Sequence, residues 1–465
     1  MESYSIINLR KVLLYVMFSA ISVFCTQNTF GQGPIYAPQG RQEVQSLAQP
    51  NGNLVSRSPQ QSHGETSFRS RQNITNQGLT IQEVCEIALQ NNPSVIQATR
   101  LMEAHYGSWV QAGLKNNPMV GYMAEEMGGN NGAGRQGVAF SQEHISRGKR
   151  DARQGAASAE YQAARQTLMI QRQKVVNDAS LAGYRLLIAQ QREYLAQELL
   201  KISESAASAA DELVRVQESP KTDYLQARIE RNRAQITLND AVIERETAVK
   251  ELAVLLGYPT VMSLQITDTP DHLPMDIDED AVLRRLIAES PQLRQARAEW
   301  DAARARLYRE QKEAGLTVNT EGNLLYNTYE KQTEMSVGVA IPLRINNRNQ
   351  GNIMKAQSEM AAAARNMERV EKSLTAEFYN RFAEYKTARQ RVAIYQEDVL
   401  SGVEESLQLM MQAYQHGQCG YIELLNTQRT LFNVKIEYLD SIALLLTSST
   451  KIQGYLLEGV FDKPE

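Results

Sequence analysis

Residues 148–216 read GKRDARQGAASAEYQAARQTLMIQRQKVVNDASLAGYRLLIAQQREYLAQELLKISESAASAADELVRV, and this stretch decides the fold. It is rich in alanine, glutamine, glutamate, arginine and leucine, which are good helix formers. Proline is absent between Pro118 and Pro220, so nothing there interrupts a helix. Gly148 to Val216 therefore predicts a single helix of 69 residues, about 100 Å long at a rise of about 1.5 Å per residue.

A second stretch of the same kind spans residues 351–417, and no proline occurs between Pro342 and Pro464. Within the first stretch, apolar residues recur at spacings of four and three, which places them on one buried stripe of a helix. The clearest run is Leu195, Leu199 and Ile202.

The chain contains an internal duplication. Matching residues recur at offsets of 198 to 202 positions, whereas chance matches would scatter. The pairs are Asn92-Pro93-Ser94 with Ser290-Pro291-Gln292, Gly137-Val138-Ala139 with Gly338-Val339-Ala340, Asp223-Tyr224-Leu225 with Glu423-Leu424-Leu425, and Gly257 with Gly459. We therefore divide the chain into a first repeat at 79–278, a second repeat at 279–460 and a short tail at 461–465.

Shorter helices flank each long one. Thr80 is a good N-cap with Glu83 three residues later, and it opens the first of them. Two short helices placed end to end have the same length as one long helix. The pattern therefore predicts a long antiparallel coiled-coil cylinder about 100 Å tall. The four short helices are expected at Thr80–Asn116, Thr222–Leu256, Asp280–Ala314 and Tyr421–Glu458.

Strand-like segments lie between the short and long helices. Apolar residues alternate with polar ones in them, as in strands with one apolar face. The segments of the second repeat are long enough for tilted transmembrane strands, and those of the first are expected to be shorter. They are Met119–Glu125, Val138–Glu143, Leu316–Asn327 and Met335–Leu343.

Four strands cannot close a barrel, and open sheet edges are not tolerated in lipid. Assembly of several chains is the simplest physical solution, and three chains would supply three times four, or twelve, strands. The predicted fold class is therefore mainly α with a β-barrel portion: a helical coiled-coil barrel plus four transmembrane strands per protomer of a homotrimer.

The N-terminus predicts export. Two basic residues precede the apolar run 12–24, which has the length of a signal-peptide core and is too short to span a bilayer. Cleavage before Gln32 would remove residues 1–31; lipidation at Cys25 is the alternative that stays open. Residues 32–78 are rich in Gln, Ser, Asn, Gly and Pro, which predicts a flexible linker.

The sequence contains few signals of a catalytic, metal-binding or nucleic-acid-binding site. The net charge of −4 disfavours a nucleic-acid partner. Cys85 and Cys419 form no disulfide framework, although a bond between them stays open, and the five histidines lack the spacing of metal ligands. No phosphate-binding loop, nucleophile elbow or zinc-protease helix occurs. We expect no enzymatic activity, cofactor or bound metal.

With these features in view, residues 79–460 resemble the outer membrane efflux protein family, the TolC-like channels. Within that family the chain is most similar to the CzcC-like divalent-metal efflux branch. The motifs that carry the resemblance are Asn91-Asn92-Pro93, Ser141-Gln142-Glu143 before Gly148-Lys149-Arg150, and Pro342-Leu343 before Asn347-Arg348-Asn349-Gln350-Gly351.

The resemblance implies a passive trimeric duct in the outer membrane of a Gram-negative bacterium, with most of the chain in the periplasm. Its expected partners are outer-membrane lipid, a periplasmic adaptor and an inner-membrane pump of the resistance-nodulation-division class. The cargo would be small molecules or metal cations. Two alternatives stay open: the outlet of a type I polypeptide secretion system, and a soluble periplasmic coiled-coil scaffold without a barrel.

The resemblance also implies that the two turns between long and short helices, here called the tips, form the periplasmic entrance and meet the adaptor. Pro220, Gly417 and Gly420 in any case turn the chain. Gln217 stands where the family usually has glycine. The expected adaptor-contacting residues are Val216, Gln217, Glu218, Ser219, Gly417, Gln418 and Cys419.

At the entrance itself, Glu423 matches an acidic residue that lines the family's constriction, where three copies would attract cations. The next acidic position of the family is Asn426 here, so the ring carries less charge. Asp223 and Tyr414 match a hydrogen-bonded pair between hairpins, and Cys419 replaces the basic residue that reinforces it. We call the contact between Asp223 and Tyr414 the latch, and these departures from the family pattern predict that it is weaker here.

Overall fold

A computed structural model of the chain describes residues 78–128, 132–258, 264–269, 277–416 and 418–460. The predicted signal peptide, the predicted tail and all but the last residue of the predicted linker lie outside these ranges.

The described part of the first repeat contains four helices, the third of which is the predicted long one. It covers 69 residues, shifted by one position from the expected bounds. The Thr80 capping box also forms: the Glu83 carboxylate accepts from the Thr80 backbone N–H at 2.9 Å, and the Thr80 hydroxyl accepts from the Glu83 N–H at 3.3 Å. The helices are α1 (Ile81–Asn91), α2 (Pro93–Ala112), α3 (Arg147–Arg215) and α4 (Lys221–Leu255).

The second repeat follows the same plan. Its long helix consists of two α-helices joined by a five-residue π-helical turn, so that helical backbone continues through the whole stretch. The elements are α5 (Glu279–Glu289), α6 (Pro291–Glu313), α7 (Gln350–Ile394), the π-turn (Tyr395–Val399), α8 (Leu400–Gln415) and α9 (Tyr421–Gln453).

Three helix predictions need correction. The single helices expected at 80–116 and 280–314 are each interrupted, at Asn92 and Ser290, where the backbone is extended. Each of these residues precedes a proline, which disfavours helical backbone at the residue before it. The last helix ends at Gln453, short of the predicted Glu458, because residues 455 and 456 take positive φ angles of 60°.

The helices form a layer whose order matches the stacking expected from their lengths. The long helix α3 packs against α2 and α4, which follow one another along it, and on its other side against α6 and α9. These two in turn pack on α7 and α8. Helices α4 and α8 therefore form opposite edges of the layer near the tips. Ion pairs such as Arg185–Glu251 at 2.5 Å and Glu193–Arg245 at 2.5 Å join α3 to α4.

The four strands form one antiparallel sheet in the order β1-β2-β3-β4. The central β2–β3 pair joins the two repeats along its full length. The strands are β1 (Met119–Glu125), β2 (Arg135–Ile145), β3 (Thr317–Asn327) and β4 (Gln332–Ala340).

Two strand predictions were wrong in their bounds. Strand β2 is 11 residues long, longer than the predicted 138–143, because it pairs with every residue of β3 from the other repeat. Strand β4 begins at Gln332, three residues early, because the β3–β4 hairpin starts at the pair Asn327–Gln332, and it ends at Ala340 instead of Leu343. Pro342 lies just beyond this end, and proline cannot donate a ladder hydrogen bond.

Two irregular segments, one around Leu79 and Ile266 and one at residues 454–457, are hydrogen-bonded to side chains of α3. Leu79 forms a parallel bridge with Ile266, whose N–H donates to the Gln190 side chain at 3.1 Å. In the second segment, the buried Asn177 amide donates to the carbonyls of Gly454 at 2.8 Å and Leu457 at 2.6 Å. These bonds hold irregular segments against the middle of the long helix.

Candidate functional site

One face of the sheet is apolar and exposed across all four strands. The strand register places Tyr122, Val138, Leu324 and Met335 in a single row, and each of these side chains is at least half exposed. The large apolar side chains exposed on this face are Val120, Tyr122, Val138, Phe140, Leu324, Tyr326, Met335, Val337 and Val339, with exposures from 43% to 71%. The predicted two-residue alternation is thereby confirmed.

The opposite face of the sheet carries mainly polar side chains. The Arg135 guanidinium lies 3.2 Å from the Glu126 carboxylate and 3.5 Å from that of Glu334. The Asn323 amide donates to the Ser336 hydroxyl at 3.3 Å. Sheets with one apolar and one polar face suit a wall between lipid and water. Among the described residues, strands β1 and β4 each pair on one side only, so each offers a free edge to another strand.

In the part of the chain that the structure describes, every helix is too short or too polar to cross a membrane. Among the same residues, no group of three or more His, Cys, Asp or Glu side chains could hold a metal ion.

The first tip is a tight turn between α3 and α4. The N–H groups of Glu218 and Ser219 donate to the Leu213 carbonyl at 2.9 Å and 3.2 Å. Gln217 has a φ of 63°, in the left-handed region where glycine is preferred. The Ser219 hydroxyl donates to the Asp223 carboxylate at 2.8 Å, which fixes that carboxylate at the start of α4.

We expect Gln217→Gly to stiffen this tip, because glycine adopts the left-handed backbone without steric penalty. The gain should be about 1 kcal/mol. Hydrogen exchange at the Glu218 and Ser219 amides should therefore slow about fivefold, if it proceeds by local opening. Glu218→Gly is the control, since Glu218 has no positive φ, and there exchange should accelerate. Unchanged or faster exchange in Gln217→Gly would contradict the prediction.

The second tip joins α8 to α9. The Gln418 N–H donates to the Ala413 carbonyl at 2.8 Å, and the Gly420 N–H donates to the Glu423 carboxylate at 3.2 Å. The Cys419 thiol lies 3.7 Å from the Met410 carbonyl. Burial, followed by the negative charge of Glu423, raises the pKa of this thiol. The predicted contact residue Gly417 lies outside the described ranges.

The two tips pack together in one apolar cluster, called here the tip cluster. The rings of Tyr414 and Tyr421 meet edge to face at 6.0 Å, and both are at least 96% buried. Burial, followed by the charge of Glu230, raises the pKa of Tyr421 to about 12. The cluster comprises Ala206, Ala207, Ala210, Ala227, Leu407, Tyr414, Tyr421, Leu424, Leu425 and Leu431.

The expected Asp223–Tyr414 hydrogen bond is not formed within the chain. The Tyr414 hydroxyl is buried and has no hydrogen-bond partner among the described residues, and Asp223 accepts from Ser219 and Thr222 instead. The two groups are nonetheless close enough to interact: burial, then the charges of Asp223 and Cys419, raises the pKa of Tyr414. The structure thus brings the predicted pair to one place and leaves the latch a prediction for the assembled protein.

Comparison with known proteins identifies the family. The model of the family described as outer membrane efflux protein matches residues 84–258 and 282–456, which is one match per repeat and covers most of the chain. The chain belongs to the outer membrane efflux protein family. The resemblance that the motifs indicated is therefore confirmed.

Relatives of this efflux protein span nearly its whole described length. The cobalt-zinc-cadmium resistance protein CzcC of Cupriavidus metallidurans is 26% identical over 387 residues, covering 81% of this chain and 90% of that relative. A membrane protein from Pseudomonas aeruginosa has a TM-score of 0.70 at 18% identity, covering 81% and 92% of the two chains. CusC has a TM-score of 0.67 at 17% identity, covering 93% and 99%. The likeness to solved structures confirms the predicted fold class, mainly helical with a small antiparallel sheet.

Two of the four predicted entrance residues of the efflux protein lie on one side of α9. Glu423 and Asn426 are both exposed and three residues apart, so they share a face of the helix. Since the Tyr414 and Tyr421 phenols and the Cys419 thiol all have raised pKa values, they are uncharged at neutral pH. The fixed negative charge at the tips therefore comes from carboxylates such as Glu423 and Asp223.

Sequence reasoning missed one contact that joins the tips. The Arg429 guanidinium of α9 pairs with the Glu230 carboxylate of α4, and Arg233 also reaches that carboxylate at 3.1 Å. Glu230 and Arg429 are 199 residues apart. The repeat offset of 200 residues that matches Asp223 with Glu423 matches Glu230 with Thr430, so no signal in the sequence pointed to this pair.

Proposed function

We propose that three copies of this protein form a passive duct through the outer membrane, through which a tripartite system exports small molecules or metal cations. The observation that carries the proposal is the four-stranded sheet with one exposed apolar face and two free edges. Lipid requires every backbone hydrogen bond to be satisfied, so such a sheet must close with other strands. Closure among three copies would give twelve strands, with the helices continuing into the periplasm.

The proposed cargo follows from one relative and one residue. CzcC, which is similar over most of the chain, is named a cobalt-zinc-cadmium resistance protein. Glu423 is an exposed carboxylate at the second tip, and three copies around an axis would favour cations there. A resistance-nodulation-division pump and a periplasmic adaptor are the partners that fit this cargo. The reported relatives give no support to the alternative of a polypeptide secretion outlet.

The proposed mechanism assigns energy to the pump and opening to the tips. The duct supplies a water-filled path that need not bind the cargo. The tip cluster keeps the entrance narrow, and widening it requires a discrete rotation of packed helices because close-packed interfaces switch between arrangements. Adaptor binding at the exposed tip residues Val216, Glu218 and Gln418 would favour the open arrangement.

The test is single-channel conductance of purified protein in planar bilayers, comparing wild type with Glu423→Gln. Wild type should give discrete, cation-selective steps, and Glu423→Gln should lower the cation-to-anion permeability ratio about twofold or more, because three charges leave the constriction. Glu218→Gln is the matched control: it removes an exposed carboxylate from the other tip and should leave selectivity unchanged. A stable trimer that shows no conductance would contradict the proposed duct.

A further inference from the structure

Helix α4 carries two apolar stripes on opposite sides. One consists of alanines that are buried to at least 92%, on the side packed against α3. The other consists of isoleucines with exposures of 52%, 60% and 61%. The two stripes are offset by two residues, or about 200° around the helix at about 100° per residue. They are Ala227, Ala234, Ala241 and Ala248 on one side, and Ile229, Ile236 and Ile243 on the other.

Helix α8, at the opposite edge of the layer, has the same arrangement. Leu407 and Tyr414 are buried in the tip cluster. Gly402 and Leu409 lie seven residues apart, and both are exposed. Leu409 follows Leu407 by two residues, so this second stripe again points away from the packed side. It borders a groove of about 470 Å³ lined by Gly402, Glu405, Ser406, Leu409, Met410 and Ala413.

The π-turn keeps these stripes continuous with α7. In α7, Val392 is buried and Ile394 is 58% exposed. The exposed stripe then passes from Ile394 to Gly402, a step of eight residues where an unbroken heptad would give seven. A π-helical turn holds one extra residue, so it absorbs the difference and keeps the outward face aligned along the whole edge.

Gly402 has no explanation within a single chain. A Cβ built on it would meet no atom within 4 Å. Glycine inside a helix lowers stability by about 0.5 to 1 kcal/mol relative to alanine. Packing inside the chain therefore does not require a glycine here. A glycine at an exposed helix position leaves room for a large side chain from another molecule to come close.

We propose that the isoleucine stripe of α4 in one copy packs into the α8 groove of a neighbouring copy, with Ile236 seated against Gly402. This inference rests on the proposed trimeric duct. The free sheet edges support a second copy as the occupant. Strand β1 directly follows α2, which continues the α4 edge, and β4 precedes α7, which continues the α8 edge. A neighbour that pairs its β4 with β1 also sets its α8 against α4.

Heights along the helices agree with this pairing. Ile229 and Ile236 lie about 12 and 22 Å above the start of α4, counted from the helix bounds at about 1.5 Å per residue. On the same measure, Leu409 and Gly402 lie about 9 and 20 Å above the end of α8. Both helices reach the tip cluster at these ends, so the heights share a common origin. Ile236 therefore meets the level of Gly402.

The charged residues beside the two surfaces also support a second copy of the chain as the partner. Arg228 and Arg233 are exposed beside the isoleucine stripe. Glu397, Asp398 and Glu405 are exposed on the π-turn and α8. Opposite charges facing each other across an apolar seam fix the register and disfavour wrong pairings.

The test is disulfide formation between Ile236→Cys and Gly402→Cys in the same chain, with Cys85→Ser and Cys419→Ser to remove the native thiols. Mild oxidation of membranes should give covalent dimers and trimers that reductant dissolves, because a disulfide needs Cα atoms within about 7 Å. Each single cysteine should stay monomeric on the gel. The matched control is Ile243→Cys with Gly402→Cys, which shifts one thiol by about 10 Å along the same stripe and should not cross-link.

Two results would overturn the inference. If the protein is trimeric and conducts but Ile236→Cys reacts with a maleimide as fast as an exposed site, the stripe is unpaired and the duct survives without this interface. If Ile236→Cys becomes protected only after adaptor is added, the stripe is an adaptor surface. Absence of any trimer would instead remove the proposed function itself, and native mass measurement separates that case from the other two.

Discussion

Replacing Val337 by arginine is expected to deplete the protein from the outer membrane. Val337 is 65% exposed and lies on the apolar face of β4, in the row of Val120, Phe140 and Gly322. A cationic side chain facing lipid near the middle of the bilayer destabilises an inserted strand by about 2 to 4 kcal/mol. In the proposed trimer all three copies carry the substitution, so the assembled duct would bear the penalty three times. Fractionated membranes should contain at least about tenfold less trimer by immunoblot.

Ser336→Arg is the control for this prediction. Ser336 is the preceding residue of the same strand and is also exposed, but it lies on the polar face beside Asn323. Successive residues of a strand point to opposite faces, so the same charge should be tolerated there. Equal depletion by both substitutions, or normal membrane levels of Val337→Arg, would contradict the assignment of the apolar face to lipid.

Replacing Glu313 by glutamine is expected to destabilise the junction between the helical layer and the sheet. The Lys149 ammonium lies 3.3 Å from the Glu313 carboxylate and donates to the Thr317 hydroxyl at 2.9 Å, and its side chain is only 5% exposed. Arg153 also donates to Glu313, at 3.0 Å from Nη2. Removing the carboxylate leaves a buried cation without its counter-charge, which lowers stability by about 3 to 5 kcal/mol. The helical circular dichroism of the detergent-solubilised protein should be lost at a lower urea concentration.

The double variant Glu313→Gln with Lys149→Met should recover much of this loss, because it removes the unpaired buried charge together with its partner. An equally unstable double variant would show that the ion pair is not the cause. Partial burial acts to raise the pKa of Glu313, but Arg153 and Lys149 outweigh it and lower that pKa below its usual 4.5. A depressed carboxyl pKa gives stability that is complete above the unfolded value and is lost as pH falls through the folded value. The gap between wild type and Glu313→Gln should therefore stay constant above about pH 5 and narrow below about pH 4.5.

Local features of the chain were enough for most elements. The proline-free stretch predicted α3 to within one residue, and the Thr80–Glu83 box fixed the start of α1. Alternating apolar residues located all four strands and their exposed face. The failures came where a distant partner sets the bounds: β2 is longer than its own pattern because β3 pairs with all of it, and the π-turn has no local sequence mark.

The predicted entrance also has features that the sequence indicated and features that it could not. The duplication and the family motifs pointed to the two tips, and the structure places Tyr414, Asp223 and Cys419 around one cluster. The Glu230–Arg429 pair and the buried, unpartnered Tyr414 hydroxyl could not be predicted, because they depend on how two helices from different repeats lie side by side.

The sequence by itself therefore determined the long helices, the four strands and the family, because each depends on periods, spacings and motifs formed by residues that are near one another in the chain. Only the tertiary structure decided which surfaces stay uncovered. Heptad stripes of alanine and isoleucine look alike as apolar positions, and packing against α3 alone shows that Ala234 is buried and Ile236 is left exposed. The physical reason is that burial depends on the partner element, and partners here lie up to about two hundred residues away along the chain.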